Sequence, residues 1–149
     1  MKTMKTLHRS GVGVGPERTI RDAAELMEQA GVGALGILDH DRLVGIVTDR
    51  DLVRRALAHG LPADTRVDAV MSTPVVTIDA DADDREAFHL FGTHGLRRLA
   101  VVGDRGEFVG IVSIDDMLIR LTDQLADLTR PITAEALFAH RDPQVPATN

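Results

Sequence analysis

Two short patterns place a hydroxyl three residues ahead of a carboxylate, Thr48-x-x-Asp51 and Ser113-x-x-Asp116. Each follows an apolar run and precedes a segment with helical periodicity, which predicts a strand turning into a helix. At such a junction the hydroxyl can reach a phosphate oxygen, and the unpaired N–H groups of the first helical turn favour an anion. The carboxylate can accept both hydroxyls of a ribose cis-diol through charge-assisted hydrogen bonds. The same spacing fits a helix capping box, although Glu or Gln is more usual at its last position. Capping and binding can coexist.

A phosphate also needs a cation. Arg97 and Arg98, just before the apolar run at Leu99, are the best candidates, and Arg50 inside the first pattern is another. Guanidinium forks match phosphate geometry. The alternative for all three is solvated surface.

Other chemistry finds no support. Gly11-Val-Gly13-Val-Gly15-Pro16 has Pro where a dinucleotide loop needs its third Gly. Asp79, Asp81 and Asp83 have calcium-loop spacing, but Asp84 occupies the turn position and Leu90 the twelfth, so they read as a solvated, helix-opening cluster. The His residues form no i, i+4 pair and no HExxH, there is no Cys, and no nucleophile elbow or P-loop occurs. No metal site, no required cofactor and no catalytic residue is expected; the chain reads as a non-enzyme.

The elements that position these residues come from an internal repeat. At a shift of 64, Val12, Val14, Ala23, Leu26, Gly31 and Leu35 meet Val76, Ile78, Ala87, Leu90, Gly95 and Leu99. At a shift of 65, Gly45, Ile46, Val47, Thr48 and Asp51 meet Gly110, Ile111, Val112, Ser113 and Asp116. The extra residue falls in the turn between HDR and DRGE, where an insertion costs least. Each copy reads as strand, helix, strand, strand, helix. In the first copy these are Gly11 to Val14, a helix opened by Pro16 and Thr19 and stopped by Gly31, Leu35 to Leu38, Leu43 to Val47, and Asp49 to about His59. In the second they are Val75 to Ile78, Asp83 to about His94, Leu99 to Val102, Phe108 to Val112, and a helix from Asp115. One unit alone leaves its sheet half covered, so the expected fold is α/β (α+β), two pseudo-symmetric β-α-β-β-α repeats packed sheet to sheet. The expected boundaries are 8–60, a linker over 61–74, a second repeat over 75–128, and a tail over 129–149.

This repeat, with "LVGIVTDRDL", "FVGIVSIDDM" and the phrase "VMSTPVVTI", resembles the tandem CBS domains, named after cystathionine β-synthase, over roughly residues 10 to 128. The resemblance implies two pseudo-symmetric clefts between the repeats and a dimer that closes into a disc. It also implies that Thr48 and Ser113 meet phosphate, that Asp51 and Asp116 meet ribose, and that the base lies in an apolar slot near the start of each repeat. Here that slot would draw on Val12 and Val14 in one copy and on Pro74, Val75 and Thr77 in the other. The first copy has Gly33 and Ala34 where the second has Arg97 and Arg98, which weakens the first cleft as an anion site relative to the second.

Composition points to a folded, soluble protein. Of 149 residues, 44% are apolar, enough for a packed core, and a net charge of −6 argues against nonspecific nucleic-acid binding. No signal-peptide core or stretch of about 18 apolar residues occurs, which points to a cytoplasmic protein with no membrane partner. Ile114, Met117, Leu118, Leu121, Leu125 and Leu128 form an apolar stripe longer than one repeat needs, and the resemblance implies a homodimer through such helical faces. Beyond Arg130, one short helix over Ala134 to His140 is expected. The leading expectation is a ligand sensor that binds AMP, ADP, ATP or S-adenosylmethionine and signals through an unidentified effector protein. The competing one is a structural or stress-associated dimerisation module with empty clefts.

Overall fold

A computed structural model describes Met4 and residues 9–139; residue 8, where the first repeat was expected to begin, and residues 140–149 lie outside the described residues. The first repeat folds as β2 (Gly13–Val14), α1 (Ile20–Ala30), β3 (Ala34–Asp39), β4 (Arg42–Thr48) and α2 (Asp49–Asp51), which continues through a π-helical turn (Leu52–Ala56) and a 3-10 turn (Leu57–His59). The second folds as β5 (Thr77–Asp79), α3 (Asp84–His94), β6 (Arg98–Val102), β7 (Phe108–Ser113) and α4 (Ile114–Ala139). Local chemistry sets the boundaries. Thr19 and Asp22 cap α1 reciprocally, and Gly31 ends it in the left-handed region at φ 64°. Asp83 caps α3 and Gly95 ends it at φ 61°.

The β3–β4 turn is the two-residue hairpin expected from its sequence, with His40 and Asp41 at φ 48° and 65°. Such turns require positive φ at both central positions. The longer β6–β7 turn places that conformation on Gly106 instead, at φ 76°.

Side-chain alternation on the strands builds three cores. Leu35, Ile37 and Val47 face α1 in the first repeat, joined by Ile20, Ala23 and Met27. Leu99, Val101 and Val112 face α3 and α4 in the second, with Ala87, Phe91 and Met117, and Met4 is buried among them. The opposite faces of the two sheets meet each other, through Ala34, Ile46 and Leu43 from one and Ala100, Phe108 and Ile111 from the other. The repeats therefore pack sheet to sheet, as expected.

The strand ends exchange partners, which the repeat alone did not reveal. Arg9 and Ser10 form β1, which pairs antiparallel with β7 of the second repeat, before the chain crosses to pair β2 with β3. Ser72, ahead of the second repeat, bridges Ile46 on β4 of the first before the chain joins β6. Of the expected strand over Gly11 to Val14, only Gly13–Val14 is a strand, in the first sheet, while Arg9–Ser10 ahead of it pairs in the second. The strand expected from Val75 starts at Thr77.

The linker has structure of its own: it includes a 3-10 turn (Val67–Ala69), and Val67 and Val70 are fully buried in the first core. One further expectation is corrected. The tail has no separate helix starting at Ala134, because α4 runs on through Pro131 to Ala139. Pro lacks the N–H that an uninterrupted helix uses, which is why the sequence suggested a break there.

Candidate functional site

The crossed strand ends decide which residues meet. The chain leaves β7 at Gly11, whose N–H donates to the Val109 carbonyl at 3.0 Å, and crosses to β3, so that Gly11 and Val12 line one cavity with Ser113 and Asp116. Because Ser72 lies against β4, Pro74 and Val75 arrive beside Thr48 and Asp51. Each hydroxyl–carboxylate pair thus faces the entry segment of the other repeat. Two cavities result. One of about 480 Å³ contains Val12, Gly33, Ser113, Asp116 and Ile119, and one of about 230 Å³ contains Thr48, Asp51, Pro74, Val75 and Leu96.

Both hydroxyl–carboxylate pairs form capping boxes. Thr48 N–H donates to Asp51 Oδ2 at 3.0 Å, and Asp51 N–H donates to Thr48 Oγ1 at 3.0 Å. Ser113 N–H donates to Asp116 Oδ2 at 3.2 Å, and Asp116 N–H donates to Ser113 Oγ at 3.0 Å. This rigid placement leaves chemistry to spare. Neither hydroxyl hydrogen has an acceptor among the described residues, so each can donate outward. A carboxylate has about four acceptor sites, so accepting one cap bond does not prevent it from accepting a diol. Asp51 Oδ1 also lies 3.7 Å from Arg55 Nε, with the Asp51 side chain only 16% exposed. The first residue of each helix is tied to the residue ahead of the neighbouring strand, through Asp49 N–H to the Gly33 carbonyl at 2.9 Å and Ile114 N–H to the Arg97 carbonyl at 2.8 Å.

Arg50, Arg97 and Arg98 line both cavities, and none has a carboxylate within ion-pair distance among the described residues. Arg97 and Arg98 therefore do not belong to the second repeat's site alone. Gly33 also has a different consequence from the one its sequence suggested. A Cβ there would lie 3.1 Å from Asp49 Oδ2 and 3.6 Å from Arg98 Nη2, so the missing side chain is what opens the larger cavity between these two groups.

Val14 and Thr77 line neither cavity. Val14 packs against the first core, and Thr77 is exposed on β5, one residue before the buried Ile78. Residues not named as site candidates from sequence also contribute: Asp49, Asp115 and Ile119 line the larger cavity and Ser72 the smaller, and Gly33, noted only as a departure between the copies, lines the larger one too. The absent side chain at Gly33, against Arg97 in the other copy, was the available signal. The exposed cluster of Asp79, Asp81 and Asp104 is a surface feature away from both cavities.

Comparison with known proteins accords with this geometry. The CBS domain family profile matches residues 7–58 and 67–123. The CBS domain-containing protein YhcV of Bacillus subtilis is 39% identical over 106 residues, covering 71% of this chain and 75% of YhcV. Hypoxic response protein 1 of Mycobacterium tuberculosis is 34% identical over 126 residues, covering 83% of this chain and 87% of that protein. Among solved structures, the CBS domain protein PAE2072 from Pyrobaculum aerophilum, complexed with AMP, superimposes with a TM-score of 0.70 at 27% identity, covering 83% of this chain and 99% of that one. With two matched segments and two crossed repeats, the chain belongs to the CBS domain family as a tandem pair.

Proposed function

We propose that this chain is a non-catalytic regulatory module that binds an adenine nucleotide between its repeats and passes the signal to a separate effector protein. The observation that carries this reading is the larger cavity itself. It gathers a hydroxyl donor on Ser113, a fixed carboxylate on Asp116, the apolar Val12 and Ile119, and three guanidinium groups without ion-pair partners among the described residues. Its volume of about 480 Å³ lies within the range of small-ligand sites. Ribose on Asp116, phosphate toward Ser113 and the arginines, and base against Val12 and Ile119 use every one of these groups. Thr48, Asp51, Pro74 and Val75 offer the same chemistry in less space. The AMP bound to PAE2072 supports an adenine nucleotide as the ligand class.

Calorimetric titration with AMP, ADP, ATP and S-adenosylmethionine tests the reading. At least one binds with Kd below about 1 mM, or ~4 kcal/mol, and Asp116→Ala weakens it while the far-UV spectrum stays unchanged. Binding by none of the four refutes it.

The exposed face of α4 favours self-association as well. Leu118, Leu125 and Leu128 are 52%, 54% and 69% exposed in the single chain, and Val53 and Leu57 on the equivalent helical segment of the first repeat are 56% and 75% exposed. A homodimer through these helical faces would cover them. Sedimentation of the wild type as a dimer and of Leu125→Glu as a monomer is the expected result; a monomeric wild type refutes the dimer.

A further inference from the structure

The two cavities draw on one set of cations, and this bears on how they fill. Arg50, Arg97 and Arg98 border both, whereas the hydroxyl–carboxylate pairs and apolar walls are separate. The arrangement follows from the repeat asymmetry: the second copy carries Arg97 and Arg98, the first has Gly33 and Ala34 at the matching positions, and Arg98 reaches toward Gly33 across the groove. Asp49, Asp115 and Asp116 also line the larger cavity and Asp51 lines the smaller, so the three arginines face four carboxylates and leave no surplus positive charge among the lining residues. Two polyphosphate chains carry far more negative charge than these arginines neutralise, so phosphates drawn to the same three side chains compete for them and repel one another, and because Arg50 and Arg97 are exposed this competition weakens as salt rises.

Resting on the nucleotide reading above, we propose that the two clefts are coupled through this shared arginine cluster: a nucleotide polyphosphate in the larger cleft takes the cations and weakens polyphosphate binding in the smaller one. A ligand without phosphate fills the two clefts independently. The coupling is mutual, since each site must alter the other by the same factor.

Separate calorimetric titrations with ATP and with adenosine test this on the full chain. In the wild type, ATP binds the larger cleft first and the Thr48/Asp51 cleft in a weaker second step, or not measurably. In Asp116→Asn, which keeps an acceptor for the Ser113 N–H cap but weakens the larger cleft, the Thr48/Asp51 cleft binds ATP about tenfold or more tighter than in the wild-type second step. For adenosine the two proteins give the same affinity at that cleft. Gly33→Leu fills the larger cavity without removing a charge and gives the same gain, which separates loss of occupancy from loss of a nearby carboxylate. Adding Asp51→Asn to either variant abolishes the gained binding and so assigns it. Equal ATP affinity of the smaller cleft in wild type and variants overturns the coupling alone, as does an ATP gain matched by adenosine or a smaller cleft that never takes ATP. Absence of binding by any adenine nucleotide refutes the nucleotide reading, and the coupling with it.

Discussion

Gly36 sits in the middle of β3 on the face that meets the second sheet, and a Cβ there would lie 2.6 Å from Cε1 of Phe108 and 2.9 Å from two more ring atoms. That is about 1 Å inside the optimal carbon–carbon separation. The ring has little room to retreat, because a Cβ at Gly11 would meet the same Cε1 at 2.7 Å. Gly36→Ala must therefore push β3 and β7 apart or force Phe108 off its rotamer, at a cost of about 1–3 kcal/mol. The reduced freedom of the unfolded Ala chain offsets about 0.4–1 kcal/mol of this. The net loss, on the order of 1–2 kcal/mol, lowers Tm by roughly 2–8 °C for a chain of this size. Scanning calorimetry reads the shift. Phe108→Leu, which withdraws the ring, recovers part of the loss, so the two changes are coupled by about 1 kcal/mol in a double-mutant cycle. Gly92 on α3 provides the control: nothing lies within 4 Å of its Cβ position, so Gly92→Ala stabilises by up to about 1 kcal/mol through helix propensity alone. A Gly36→Ala protein as stable as wild type, or additive effects of Gly36→Ala and Phe108→Leu, would refute the inter-sheet contact.

Three further outcomes follow from single contacts. Asp84 and Arg120 tie α3 to α4 with side chains only 13% and 12% exposed, and Gln124 Nε2 donates to Asp84 Oδ2 at 3.3 Å, so Asp84→Ala strands a buried guanidinium and costs on the order of 3 kcal/mol in urea unfolding. Val67→Ala costs about 2 kcal/mol by the same assay because the linker valine is fully buried, whereas a mere tether would tolerate it. The Asp22 carboxyl is held below its ordinary value of 3.8, chiefly by the Thr19 backbone N–H that it accepts, against a smaller opposing effect of burial. A depressed folded-state pKa contributes stability above the unfolded value and loses it as pH falls through the folded one. The stability curves of wild type and Asp22→Asn therefore separate above about pH 4 and converge in stronger acid; a constant offset at all pH values contradicts this role for the charge.

The legible part of the molecule was its periodic part. Alternation in "LGILD" and "LVGIVT", the stop at Gly31 and the shift between copies placed the repeats, hairpins and helix starts to within a residue or two. Thr48/Asp51 and Ser113/Asp116 were legible as pairs because capping is local, and both adopt the capping geometry their spacing allowed. What lay hidden depended on contacts distant in sequence. The crossing of Arg9–Ser10 to β7 puts Val12 with Ser113 and leaves Val14 in the core, and no local pattern encodes that exchange. Val67 and Val70 lie in a Pro- and Asp-rich stretch that resembles a loop, and their burial comes from Thr65 and Val67 bonding back to Ile20 and Arg18. Pro131 looked like a helix end because its missing N–H weakens a helix locally, yet α4 continues past it.

The structure of the chain determined with AMP bound is the most direct measurement of the nucleotide account. It should place the ribose diol on the Asp116 carboxylate, the phosphate within hydrogen-bond reach of Ser113 Oγ and one of Arg97 or Arg98, and the base against Val12. AMP seated outside both inter-repeat cavities, or within the larger one with its ribose turned away from Asp116, would contradict it.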